Sequence, residues 1–168
     1  ARRSASLELG KRIGVSGHSQ GGWVVNLAAA QHEEIAFFIS LVGPTTSVIA
    51  QMEDIYTNDF RCQGYQGDDL ERRVDRQLRL SKFGAALGKV VHVGVIGFDS
   101  GIIDYDPTEV LLSTRTAGLF AFGENDPYVP ADHNIQRFNQ IFPDGSDNLT
   151  AVSIEKGNHH FRMIETKC

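Results

Sequence analysis

Three short stretches carry the residue types that acyl-transfer chemistry requires. Ser19 sits in Gly17-His18-Ser19-Gln20-Gly21-Gly22, Asp126 in Gly123-Glu124-Asn125-Asp126-Pro127, and two histidines in Gly157-Asn158-His159-His160-Phe161. Serine is a poor nucleophile until a neighbouring imidazole takes its proton. The same imidazole then protonates the leaving group. A carboxylate fixes the tautomer of the ring and stabilises the imidazolium. Taken singly, each stretch has a bland reading: a glycine-rich turn with an incidental serine, an acidic turn in which Glu124 rivals Asp126, and surface histidines after a strand. The weight lies in their combination. His18, beside the serine, is expected to shape a pocket together with Trp23, and the remaining histidines, His32, His92 and His133, have no partner visible in the sequence.

The flanking residues say which elements position these groups. Arg12 to Ser16 is an apolar-rich run of strand length, Gly17 to Gly22 a sharp turn, and Trp23 to Ala30 an Ala-rich apolar run suited to a buried helix. Strand, turn and helix are the context that G-x-S-x-G requires as a nucleophile elbow. Such a turn strains the serine backbone, and Gly17 and Gly21 are expected to lack Cβ atoms that would collide there. The helix N-terminus favours negative charge near the hydroxyl. Ile35 to Val42, ending at Gly43-Pro44, reads as a fully buried strand and completes a parallel βαβ unit. Ala117 to Phe122 and Leu149 to Ile154 are the third and fourth strands. In a parallel sheet the carboxyl ends of the strands share one rim, so groups distant in sequence converge.

Between the second and third strands, 46–116 reads as a helical insertion that walls or covers the pocket. Val48 to Tyr56 has helical spacing, and Leu70, Val74, Leu78 and Leu87 mark an amphipathic helix from about Asp68, with the alternating charges Glu71, Arg72, Arg73, Asp75, Arg76 and Arg79 on its solvated face. Val90 to Ile96 reads as helix running into loop, with a strand as the alternative. A further helix is predicted from Asp132, as cap, to Phe142, with Ile135, Phe138, Ile141 and Phe142 on its apolar side. The tail after Phe161 is predicted to begin as helix. The fold class is therefore α/β, a parallel sheet of about four strands with flanking helices in one domain over 1–168.

Composition narrows the partners. The net charge is −5 and no basic run is present, which argues against nucleic acid. No apolar run approaches membrane-spanning length, and nothing at the N-terminus has the form of a signal peptide. Cys62 and Cys168 are too few for a disulfide framework or a cysteine-rich metal site. Free thiols are expected, with a single bridge as the alternative.

The Gly-His-Ser-Gln-Gly-Gly-Trp turn, Phe122-Gly123-Glu124-Asn125-Asp126 followed by Val129-Pro130, and Asn158-His159-His160-Phe161 resemble the α/β-hydrolase superfamily. The order Ser, Asp, His is the one found on that fold. The nearest branch is that of dienelactone-hydrolase-like and dipeptidyl-peptidase-like serine hydrolases, many of them esterases. The resemblance is strongest around 11–45 and 117–161 and weak in the insertion. It implies Ser19 as nucleophile and Asp126 as the acid. It implies His159 as base when the histidine motif is read as Asn-His-x-Phe, or His160 when it is read as Gly-x-x-His. The backbone N–H of Gln20 becomes one oxyanion donor. The family has several strands before the elbow, one of whose loops supplies the second donor, and the sequence lacks them. The chain is thus expected to be the C-terminal half of a hydrolase, with the elbow strand as an edge that a partner chain or self-association could cover. The expected activity is cleavage of small-molecule carboxylic esters through an acyl-enzyme, with no metal or organic cofactor. Peptide or amide hydrolysis is the alternative within the class, and a non-catalytic fragment binding a partner chain is the alternative outside it.

Overall fold

A computed structural model describes residues 13–91 and 101–168. Four strands, β1 (Ile13–His18), β2 (Ile35–Leu41), β3 (Ala117–Gly123) and β4 (Leu149–Ile154), form one sheet in the order β1-β2-β3-β4. Every neighbouring pair is parallel. Helix α1 (Gln20–Gln31) joins β1 to β2 and packs on both. Helices α2 (Val48–Cys62), α3 (Gly67–Val91) and α4 (Thr108–Ser113) lie between β2 and β3, and α5 (Ala131–Ile141) joins β3 to β4. The α/β class and the parallel four-stranded sheet expected from the sequence are therefore present.

The core sits between the sheet and α1, α4 and α5. Phe38, Phe120, Phe122, Val42, Val129 and Leu111 are its most buried members. Phe38 and Phe120 meet edge to face at 5.5 Å, a geometry that the ring quadrupoles favour. A second, smaller cluster joins Leu70, Val74 and Leu78 of α3 to Met52, Tyr56 and Phe60 of α2. The insertion thus carries its own apolar seam. Leu87, expected on that stripe, is 48% exposed. The seam ends where α3 outruns α2, a helix of 15 residues against one of 25. Arg73 stacks over Tyr65, and Arg72 and Arg79 pair with Asp69 and Asp75 on the solvated face.

Several expectations are corrected. β2 is not buried on both faces: Phe38 is covered, whereas Phe37 on the opposite face is 47% exposed, its ring lying against Gly14 of β1. Asp132 does not cap α5. The helix starts one residue earlier, behind Pro130 with φ −58° and no side-chain cap, and Asp132 falls in the first turn. The tail is not helical. Asn158 Oδ1 accepts the backbone N–H groups of His160 and Arg162, and Phe161 has φ 55°, so the chain turns back instead. Gly157 then bridges Met163 in antiparallel fashion. The two cysteines are not free thiols, because Cys62 and Cys168 form a disulfide. It fastens the end of the chain to the last turn of α2. Of 90–96, only Val90 and Val91 fall in described helix; the rest of that stretch, with His92, lies outside the described residues.

Candidate active site

β1 delivers Ser19 into a turn so tight that its backbone adopts φ 56° and ψ −124°. A non-glycine residue holds such angles only where its surroundings over-determine them. Here the Ser19 N–H donates to Leu41 O at 2.8 Å and the Ser19 carbonyl accepts from Gly22 N–H at 2.8 Å. A Cβ on Gly17 would strike the Gly21 carbonyl, and one on Gly22 would strike Ser40 Oγ and Gly43 Cα. Gly21, expected to be the second obligatory glycine, has nothing within 4 Å of such an atom. The crowding falls one residue later, where α1 crosses the segment leaving β2.

Ser19 occupies the N-cap position of α1 but makes no capping bond with its side chain. Among the described residues its hydroxyl has no hydrogen-bond partner, and neither has the Gln20 backbone N–H. A partly exposed hydroxyl therefore stands beside a free donor at a helix N-terminus, where negative charge is favoured.

The carboxylate and the imidazole are brought together by the loops that leave β3 and β4. Gly123 lets the Gly157 carbonyl approach where a Cβ would collide. Asn125 N–H donates to Gly157 O at 2.8 Å, and Asn125 Nδ2 donates to Ile164 O at 2.6 Å. Asp126 is fully buried, yet every polar demand is met. Its Oδ1 accepts from the N–H groups of Tyr128 at 2.8 Å and Val129 at 3.0 Å, and its Oδ2 lies 2.7 Å from His159 Nδ1. A carboxylate held by two backbone donors is an acceptor, so His159 Nδ1 carries the proton, and in the neutral ring the lone pair then lies on Nε2.

His159 is 13% exposed at its side chain, and Tyr128 meets it edge to face at 5.2 Å. The tyrosine is a contact that the sequence did not single out; its position two residues after Asp126 was the available signal. His160 is exposed, and its ring makes no contact with Asp126. Glu124, the rival carboxylate, is exposed and accepts from Ser153 Oγ at 3.2 Å.

His18 is tied to the same loop. Its Nε2 lies 2.7 Å from the His159 carbonyl, and its ring centroid stands 4.8 Å from that of His159 and 5.3 Å from that of His160. The residue before the serine and the residue paired with the aspartate thus touch. No direct bond joins Ser19 Oγ to His159 among the described residues. Trp23 is buried, donating Nε1–H to Pro44 O at 2.7 Å. With Gln20, Val24, Leu27, Ile102 and Tyr105 it lines an apolar cavity of about 240 Å³. The two remaining described histidines do have partners: His32 pairs with Glu34 at 3.4 Å and His133 with Asp54 at 2.8 Å. Among the described residues no cluster of three or more His, Cys, Asp or Glu is placed to hold a metal, and no helix is long and apolar enough to cross a membrane.

No protein-family model and no curated protein matches the chain. Solved structures do. The chain is similar to a 2,6-dihydroxy-pseudo-oxynicotine hydrolase, with 18% identity and a TM-score of 0.55 over 92% of this chain and 36% of that one. It is similar to a puromycin-hydrolysing peptidase of Mycobacterium tuberculosis, with 22% identity and a TM-score of 0.54 over 90% of this chain and 19% of that one. An esterase of Pyrococcus furiosus follows, with 14% identity and a TM-score of 0.51 over 86% of this chain and 44% of that one. The chain therefore spans less than half the length of each of these proteins. All three are hydrolases, and likeness at such identity speaks to architecture. With four parallel strands in sequential order and helices flanking them, the chain has a partial α/β-hydrolase fold.

Proposed function

We propose that the protein is a serine hydrolase that cleaves carboxylic esters through an acyl-enzyme. The observation that carries this reading is the bond of 2.7 Å between buried Asp126 and His159, on a loop that contacts the residue next to Ser19. In the proposed sequence His159 Nε2 accepts the Ser19 hydroxyl proton as Oγ attacks the ester carbonyl. The Gln20 N–H donates to the oxygen that gains negative charge. The C–O bond to the alcohol then breaks, and His159 returns the proton to the leaving oxygen. Water, deprotonated by His159, releases the acid and restores Ser19. Asp126 fixes the tautomer and stabilises the imidazolium. The Ser19–His159 hydrogen bond is expected to close on substrate binding, because such bonds often tighten only in the complex. A second oxyanion donor is assigned to the whole protein, since loss of one donor costs roughly 100- to 1,000-fold in rate.

The apolar cavity next to Gln20, with Trp23 on its wall, supports an apolar group on the substrate, and the helices of 46–116 are proposed to form its cover. A panel of short- and long-chain acyl esters beside aminoacyl amides tests the reading. Ester turnover with accumulation of an acyl adduct on Ser19 is expected. Turnover of amides alone moves the protein to the peptidase class, and an adduct on no residue contradicts the proposal.

A further inference from the structure

We infer that His18 is a positioning residue, holding the main chain of His159 against the serine turn through a hydrogen bond from its Nε2–H to the His159 carbonyl. The inference rests on the reading of His159 as base. A carbonyl can only accept, so the 2.7 Å contact places the proton on His18 Nε2 and fixes that tautomer. The two residues are 141 positions apart, one at the end of β1 and the other beyond the end of β4, so the bond spans both edge strands of the described sheet. His159 is otherwise secured to the fold through its ring, by Asp126 at the end of β3. A ring tethered at Nδ1 can still pivot about that bond. Fixing the backbone of the same residue removes the pivot and sets the direction in which Nε2 points.

The ring of His18 is itself held. It lies nearly parallel to His160, with an interplanar angle of 12° and a centroid separation of 5.3 Å, and meets His159 edge-on at 70°. The adjacent histidine, which competes for the role of base in the sequence, thus has a role of its own: it backs the ring that steadies His159. The loop's internal bonds, from His160 and Arg162 N–H to Asn158 Oδ1 and from Phe161 N–H to Asn158 O, shape the loop but do not reach the serine turn. Among the described residues, the His18 contact is the hydrogen bond that does.

Misplacement of reacting groups by about 1 Å costs on the order of 100-fold, while a single hydrogen bond contributes roughly fivefold. His18→Ala is therefore expected to slow labelling of Ser19 by a fluorophosphonate about 10-fold or more. His18→Phe, which keeps a ring without the donor, should slow it similarly. His18→Gln, whose amide reaches as far and donates, should recover most of the loss. Proton NMR of the His159 Nδ1–H, recorded on the same four proteins, should show a resonance that weakens or moves in the Ala and Phe variants and returns in the Gln variant. Wild-type labelling rates in both the Ala and Phe variants, or a Gln variant as slow as Ala, overturn the inference. If the wild type is not labelled but the resonance still follows the donor at position 18, positioning stands and the hydrolase reading falls. If neither observable depends on position 18, the inference fails by itself.

Discussion

In the proposed mechanism Asp126, a buried side chain, serves both fold and chemistry. Its two backbone donors shape the turn after β3, and its remaining oxygen holds His159. In Asp126→Asn the side-chain oxygen can still accept from Tyr128 and Val129, but the amide hydrogens now face Nδ1 and favour the wrong tautomer. Hydrolysis is expected to fall by roughly 10,000-fold, with a stability loss of only about 1–3 kcal/mol. Paired rate and melting measurements check this: unchanged hydrolysis contradicts the assignment, whereas unfolding would place Asp126 among the purely structural groups. That Asp126 would stand just beyond the end of the third strand was legible in the sequence, because a carboxylate in a turn after a strand has a defined address on the rim. Which of His159 and His160 would meet its side chain was left open between the two, since neighbouring residues leave a turn in directions that only the loop's own hydrogen bonds fix.

At the scale of elements, the glycines around Ser19 make opposite predictions. Gly17→Ala and Gly22→Ala drive a Cβ into backbone or into Ser40 and should each cost about 1–3 kcal/mol. Gly21→Ala meets open space in the first turn of α1 and should stabilise by up to about 1 kcal/mol. Thermal melts of the three variants decide it, and a destabilised Gly21→Ala contradicts the crossing geometry described. Sequence spacing located the turn but not the crossing point, which depends on Ser40 and Gly43 arriving from another strand. The contact between the insertion and α5 is a second case. Burial raises the pKa of Asp54 above its ordinary value of 3.8, opposed by its bond to His133. With the folded value above the unfolded one, the contribution of Asp54 to stability is fully present below the unfolded value and is lost as pH rises through the folded value. The stability of the wild type relative to Asp54→Asn should therefore decline as pH rises from the ordinary value of 3.8 through the raised folded value. Melting curves across that range test it, and a flat or rising difference contradicts the burial of Asp54 against α5.

For the whole molecule, the parallel sheet and its four strands followed from the sequence because each strand is a compact apolar run bounded by turn residues, whereas their order across the sheet came from the structure. Long-range ties were not visible in the same way. Cys62 and Cys168 are 106 residues apart, and only the folded path of the tail brings them together; a bridge closing so large a loop contributes at most about 5 kcal/mol by restricting the unfolded chain. His18 likewise became meaningful only when the loop after β4 arrived beside β1. The convergence of Ser19, Asp126 and His159 on one rim is the central claim, and covalent labelling by a fluorophosphonate tests it most directly. The expected result is a single adduct on Ser19, lost in Ser19→Ala, lost or slowed by orders of magnitude in His159→Ala, and largely retained in His160→Ala. An unlabelled wild type, or labelling that survives His159→Ala and disappears in His160→Ala, would contradict it.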